Sequence, residues 1–333
     1  MFDKLIDALS KTPRRIVFTE GPDARILEAA AKLNQDSFLT PVLLGNADAV
    51  KAAAQKGGFD IAGIEIIDPQ ASDKMDGLVN EMVALRKGKM SPDECRELLQ
   101  KGNYFGTMLV KTGYVDALLG GATYSTADTV RPALQLVKTK KDAHLVSSSF
   151  IMVRGAEMLA MGDCAINIGY EDTLDKDGNV VFSAADKLAE VGVETARTAK
   201  IFGIDPKVAF LSYSTKGSGS GPMVDLAREA CEKAKALAPE FDIDGEMQFD
   251  AAVSPTVGQL KFPGSKVAGY ANTFIFPEIQ SGNIGYKITQ RLGGFEAYGP
   301  ILQGLNAPIN DLSRGCNADE VYKMAIITAA MAE

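Results

Sequence analysis

Short apolar runs alternate with amphipathic stretches along the N-terminal part of the chain. Residues 15–19, with Ile16, Val17 and Phe18 apolar in succession and Glu20, Gly21 and Pro22 closing them, predict a compact strand. Asp23 stands at a helix N-cap position, and Ile26, Leu27, Ala30 and Leu33 follow on one helical face. Residues 38–44 repeat the strand pattern, Ala47, Val50 and Ala53 the helical one, and residues 64–67 give a third strand. This β-α-β-α alternation predicts a parallel sheet covered by helices. Residues 72–88 predict a further helix, with Met75, Leu78, Val79, Met82 and Leu85 inward and a basic end from Arg86 to Lys89. Helices are also expected from residue 91 and over 104–111. Residues 117–119 read as a buried strand, followed by a Gly/Ser/Thr loop and a helix through Asp128, Arg131 and Leu136.

The second half is less regular. Residues 145–153, 164–169, 206–211 and 271–276 read as strands, residues 183–202 as a long helix, and 172–179 as an acidic solvated turn. Residues 212–222, rich in Gly and Ser, fit either a flexible linker or a substrate-facing loop between a strand and the helix over 223–236. Residues 277–283 read as a loop before a helix over 284–292, and 247–250 fit neither pattern. The chain closes with a polar, glycine-bounded stretch over 298–320 and a last helix over 317–331.

Two stretches carry candidate chemistry. In the 298–320 segment a polar loop lies between a strand end and a helix start, where free N–H groups attract anions. Arg314 adds a planar fork of donors suited to phosphate, and Ser313 a hydroxyl. The plain alternative is a capped helix, because Asn317 and Glu320 have capping-box spacing. The loop from Gly120 offers the same series: glycines that let backbone approach a ligand, Ser125 and Thr126 as caps or donors, then Arg131. Two such loops at the carboxyl ends of strands would face one crevice. Arg86 reads as a solvated helix end or a phosphate contact.

Composition narrows the field. The 333 residues suit two domains, and a net charge of −8 with dispersed basic residues excludes a general nucleic-acid surface. No GxGxxG or GxxxxGK[ST] motif is present. Cys95, Cys164, Cys231 and Cys316 are too far apart for a zinc motif or disulfide framework, so a reducing cytoplasm is expected. Residues 1–16 lack the features of a signal peptide, and no apolar run approaches a membrane span. The single histidine, His144, reads as structural, which leaves a carboxylate as the expected base in any proton transfer.

Several strings together resemble the phosphate acetyltransferase (phosphotransacetylase) family. They are Ser125-Thr126-Ala127-Asp128 with Arg131-Pro132-Ala133, LSYSTKG from Leu211, QSGNIGYK from Gln280, and GPILQGL through NDLSRGC. The resemblance covers essentially the whole chain in order. It implies an α/β protein with two three-layer α/β/α domains around a cleft, of isocitrate dehydrogenase-like architecture. The first domain would comprise residues 1–143 plus 304–333, and the second 144–303. It implies a cytoplasmic homodimer whose partners are acetyl-CoA or CoA and phosphate or acetyl phosphate, with no nucleic acid and no membrane. CoA is a substrate, so no metal or bound cofactor is expected. Matched position by position, Ser313 and Arg314 form the family's phosphate-binding pair, with Arg131 a second arginine and Ser125 and Thr126 the loop before it. Tyr298 matches a tyrosine near the phosphate, and Arg86 falls near a CoA-associated position. Glu320 stands where the family's proposed base is usually Asp, with Asp319 beside it.

The expected mechanism is direct attack of a CoA thiolate on acetyl phosphate in a ternary complex. Glu320 or its neighbour takes the thiol proton, Arg131 and Arg314 hold the phosphate, and Ser313 faces the carbonyl oxygen. A rival route would acetylate Cys316 first. A butyryl preference, a decarboxylating dehydrogenase on a similar fold, and a non-catalytic regulator are the alternatives; nicotinamide and metal motifs for the second were not found.

Overall fold

The apolar run around Ile16 becomes the middle strand of a parallel sheet. The computed structural model describes residues 1–332. The chain divides into two units, residues 1–141 with 305 onward, and residues 142–304. In chain order the first unit receives β1 (Arg14–Phe18), β2 (Leu39–Leu44), β3 (Glu65–Ile67) and β4 (Ala117–Gly120). The second receives β5 (Ser147–Arg154), β6 (Glu157–Gly162), β7 (Thr173–Leu174), β8 (Val180–Phe182), β9 (Lys207–Leu211), β10 (Asp242–Met247), β11 (Thr273–Ile275) and β12 (Glu296–Gln303). The chain then returns to the first unit as β13 (Ile309–Asp311).

Among the described residues the first unit holds one sheet in the order β13-β4-β1-β2-β3, parallel throughout. Val17 pairs with Val42 on one side and Leu118 on the other, and Leu118 with Ile309. Ile16, Val17 and Phe18 are fully buried, because neighbours flank the strand and helices pack over it. That two-sided burial is why the sequence reads as one apolar run; each such side chain contributes about 1.5–3 kcal/mol. The helix Ala24–Asp36 starts where the Asp23 carboxylate accepts the Arg25 N–H at 2.9 Å. The last helix, Ala318–Ala330, packs on that helix and on β1 and β4.

The second unit has a six-stranded sheet, among the described residues, in the order β10-β9-β11-β6-β5-β12. β10, β9, β11 and β6 are parallel, whereas β5 and β12 are antiparallel to their neighbours. The helix Ala184–Ile201 is buried almost all round, against the helix Pro222–Leu237 on one flank and strands on the other. β7 and β8 form a separate exposed hairpin. Parallel sheets flanked by helices are the α/β class expected. No helix of the described residues is long and apolar enough to cross a membrane.

Three local expectations are corrected, and one strand was missed. Residues 164–169 are a loop, because the Asp163 carboxylate takes the N–H groups of Ala165, Ile166 and Asn167 at 2.9–3.2 Å and turns the chain. The strand in question is β6, just before it. The helix after β11 begins at Ile279, where the Glu278 carboxylate caps the N–H groups of Gln280 and Ser281 at 2.7 and 2.8 Å. β10, with the polar sequence DIDGEM, gave no apolar signal. The helix expected through Arg131 is split into an α-helix, Thr126–Pro132, and a π turn, Ala133–Val137.

Candidate active site

The first unit's sheet reverses its order between β1 and β4: from β1 the chain steps to β2 and β3 on one side and to β4 and β13 on the other. Ligands of open α/β sheets bind beyond the strand ends at such a point. The loops there are residues 19–23 after β1, 121–125 after β4 and 312–317 after β13.

Two carboxylates, the half-buried Glu20 and the buried Asp311, hold these loops. Glu20 Oε1 accepts the N–H groups of Gly121 (3.1 Å) and Thr123 (2.9 Å) and the Thr123 hydroxyl (3.3 Å); its Oε2 accepts from Thr19 Oγ1 at 2.8 Å. Burial pushes the Glu20 carboxyl above its ordinary range, against the pull of these donors. The two oxygens of Asp311 take the hydroxyls of Thr126 and Thr129, each at 2.5 Å. Burial raises Asp311 too, and the Glu20 charge adds to it. Tyr124 is raised chiefly by burial, and its phenol shares a 2.8 Å hydrogen bond with Thr19 Oγ1. The Leu312 N–H closes the β13 loop on Gly120 O at 2.7 Å.

The glycines of the β4 loop therefore serve another purpose than ligand approach. A Cβ on Gly120 would lie 2.1 Å from the Tyr124 hydroxyl, and one on Gly121, at φ +99°, 2.2 Å from Asp311 Oδ1. The Gly121 and Thr123 N–H groups are spent on Glu20, the Thr126 hydroxyl on Asp311, and the Ser125 hydroxyl on Asp128 at 2.7 Å. What remains open is cationic. Among the described residues the exposed Arg314 side chain has no hydrogen-bond or ion-pair partner. Ser313 Oγ accepts the Gly315 N–H at 3.2 Å and keeps its own proton available. Arg131 is 60 % exposed and reaches only Asp128, at 3.8 Å. Its helix is joined through Thr126 and Thr129 to Asp311, just ahead of Ser313 and Arg314. Pro132 has no N–H to donate, and the chain closes a π turn with Lys138 N on Ala133 O at 2.8 Å. Arg86 has a buried, unpartnered Nε among the described residues. Burial raises the Tyr104 phenol, and the charges of Arg131 and Arg86 pull it down.

Phosphate acetyl/butaryl transferase is the family whose description matches residues 1–329 of this chain. A phosphate acetyltransferase of Staphylococcus epidermidis is 50 % identical over 333 residues, covering 98 % of this chain and 97 % of its own. A phosphotransacetylase structure from Streptococcus pyogenes superposes with a TM-score of 0.92 at 48 % identity, covering 100 % of this chain and 99 % of the other. One from Staphylococcus aureus gives 0.91, also at 48 % identity, covering 100 % and 98 %. The chain belongs to the phosphate acetyl/butaryl transferase family. This membership makes it an acyltransferase, the enzyme class expected.

Of the positions matched to the phosphate acetyltransferase pattern, Ser125, Ser313 and Arg314 stand in the loops after the neighbouring strands β4 and β13, and Thr126 and Arg131 in the helix that follows the first of them. Glu320 sits in the capping box: its Oε2 accepts the Asn317 N–H at 3.1 Å, and its own N–H donates to Asn317 Oδ1 at 2.9 Å. Asp319 pairs with Lys323 at 2.8 Å. Tyr298 belongs to the second unit, where it lies opposite Ile151 on β12 and donates to Glu296. Cys316 is buried, which raises its thiol, while Arg25 nearby pulls it down. His144, read from the sequence as structural, lies 3.0 Å from Glu190 and is stacked on Phe182. Sequence reasoning missed Glu20, Arg25 and Asp311. For Glu20 and Asp311 the one local signal was a charged residue at or just after the carboxyl end of a strand; Arg25, in the first turn of the next helix, gave none.

Proposed function

We propose that this chain catalyses reversible acetyl transfer between CoA and phosphate, with the substrate oxyanion held at the β4 and β13 strand ends. The observation that carries this is the contrast at that edge: loop donors are satisfied internally, yet the Arg314 guanidinium and the Ser313 proton are left uncommitted. An unpaired guanidinium beside buried carboxylates is suited to an incoming phosphate. Arg314 and Arg131 bind the phosphoryl oxygens of acetyl phosphate, and Ser313 donates to the carbonyl oxygen. Arg86, with an unsatisfied Nε, supplies a further substrate contact.

The thiol of CoA, with a pKa of about 8.5, loses its proton to a carboxylate. Glu320 suits this role better than Asp319, whose charge is taken by Lys323; Glu320 Oε1 stays open while Oε2 serves the cap. The thiolate sulfur attacks the acetyl carbon, the bond from that carbon to the phosphoryl oxygen breaks, and phosphate leaves with both electrons. No resident metal or cofactor enters these steps. Acetyl is the proposed acyl group because the relatives at about half identity carry that name. The test is CoA-dependent phosphate release from acetyl phosphate by wild type and Arg314→Ala; equal rates would overturn the assignment.

The proposed setting is a cytoplasmic homodimer. Four buried free thiols suit a reducing compartment. In the second unit Ile284, Ile288 and Leu292 recur every four residues and are 58, 53 and 84 % exposed, an apolar stripe suited to a second copy. Ile288→Asp is expected to shift the sedimenting species towards monomer; an unchanged dimer would place the contact elsewhere, and a wild-type monomer would remove the proposal.

A further inference from the structure

Arg25 spends every donor it has on holding the candidate site together. It lies in the first turn of the helix Ala24–Asp36, beyond β1. Its Nε donates to Asp23 Oδ1 at 3.0 Å and Nη2 to Asp23 Oδ2 at 2.8 Å, a bidentate pair that fixes the plane of the guanidinium. The second Nη2 proton goes to Ala122 O in the β4 loop, at 2.9 Å. Nη1 reaches into the β13 loop, to Arg314 O at 2.8 Å and Cys316 O at 3.2 Å. A guanidinium has five donors, and these five bonds use them all, with a longer Nη1 contact to Cys316 Sγ at 3.7 Å besides. One side chain thus ties the three loops at the point where the sheet order reverses. One of its bonds is to the backbone of Arg314 itself, so Arg25 helps set where the Arg314 side chain starts.

We propose that Arg25 is a positioning residue for acyl transfer, fixing the Ser313-Arg314 backbone against the β4 loop so that the Arg314 guanidinium meets the phosphoryl group. This rests on the reading of Arg314 as a substrate-binding residue. Lysine cannot replace Arg25: an ammonium offers three donors from a single point and cannot bridge three loops. Misplacement of a binding group by about 1 Å costs about 100-fold in rate.

The experiment is a double-mutant cycle in steady-state kinetics, with thermal melts of each variant. Arg25→Lys is expected to melt within a few degrees of wild type, raise KM for acetyl phosphate by about tenfold or more, and leave KM for CoA within about twofold. In an Arg314→Ala background the same change is expected to alter kcat/KM less than about twofold, because its effect passes through the missing side chain. Additive losses in the cycle, with Arg314→Ala impaired, would overturn the positioning role and leave the site reading intact. Wild-type activity in Arg314→Ala would overturn both. Should Arg25→Lys fail to fold, Asp23→Asn weakens the same anchor. It is expected to raise KM for acetyl phosphate selectively, by a few-fold, and an equal effect on both substrates would overturn the proposal.

Discussion

Each unit stitches a glycine-containing strand-end loop to a glutamate, but among the described residues only the first leaves an arginine beside that loop without a counter-charge. In the first unit Glu20 holds the β4 loop through Gly121 and Thr123. In the second, Glu246 Oε1 holds the loop after β9 through the Gly217 N–H at 2.7 Å and the Ser214 hydroxyl at 2.9 Å. That loop is therefore no flexible linker. Cations gather near it as well, around an open cavity of about 510 Å³ lined by Lys216, Arg228 and Lys235. There Arg228 is paired with Asp225, Lys235 lies between Glu232 (2.9 Å) and Asp244 (3.1 Å), and Lys216 rests over the Phe262 ring at 4.7 Å. A carboxylate-laced loop is thus scaffolding that both units share. What marks the candidate site is an arginine that the fold leaves without a counter-charge.

The largest expected effect tests that distinction directly. Arg314→Ala is expected to lower kcat/KM for acetyl phosphate by about 100- to 1,000-fold with little change in melting temperature, since it removes orientation and charge together. Arg228→Ala, a loss of equal formal charge at the other cavity, is expected to stay within about twofold. Comparable losses in both would mean that net positive charge, not the uncompensated site, carries the activity.

The next test asks whether the two glutamates are equivalent as scaffolding. Removing Glu20 leaves the buried Gly121 N–H without its acceptor, and removing Glu246 the buried Ser214 hydroxyl, at about 1–3 kcal/mol for each. Glu20→Ala and Glu246→Ala are each expected to lose about 2–4 kcal/mol in urea unfolding. Activity should separate them: Glu20→Ala alone is expected to lower kcat/KM by about tenfold or more under conditions where both remain folded. If Glu246→Ala lost activity in the same measure, the second unit's loop would share in substrate handling.

How much of this was legible beforehand depended on where each residue finds its partner. β1 was readable because burial on both faces leaves an apolar run, and the helix after it because Asp23 caps its own next turn. Arg314 and Ser313 were readable because a polar loop between a strand and a helix is a local pattern. Glu20, Arg25 and Asp311 were not. Glu20 meets Gly121 across 101 positions and Arg25 meets Arg314 across 289, and no window of sequence contains both ends. The same cause misplaced the strand expected at 164–169, although there the agent was close: a single carboxylate, Asp163, outweighed the apolar character of Ile166 and Ile168. The glycines at 120 and 121 were seen but misread, since their need for space comes from Tyr124 and Asp311 rather than from a ligand.

The smallest expected effect is a slope rather than a loss, and it probes the charge buried beneath the first unit's loops. Burial holds Asp311 above the ordinary carboxylate range, with the Glu20 charge adding to it. A carboxyl whose folded pKa exceeds its unfolded value binds its proton more tightly when folded. Its contribution to stability is therefore most favourable at low pH and declines as pH rises from the unfolded pKa, about 3.9 for Asp, through the folded one. Asp311→Asn removes that titration and relieves Glu20 at the same time, so both changes act in one direction. Urea unfolding at a series of pH values should show wild type losing ground to Asp311→Asn as pH rises on the acid side of neutrality, with a level difference beyond. A difference independent of pH would mean that the threonine hydroxyls at 126 and 129 compensate Asp311 fully.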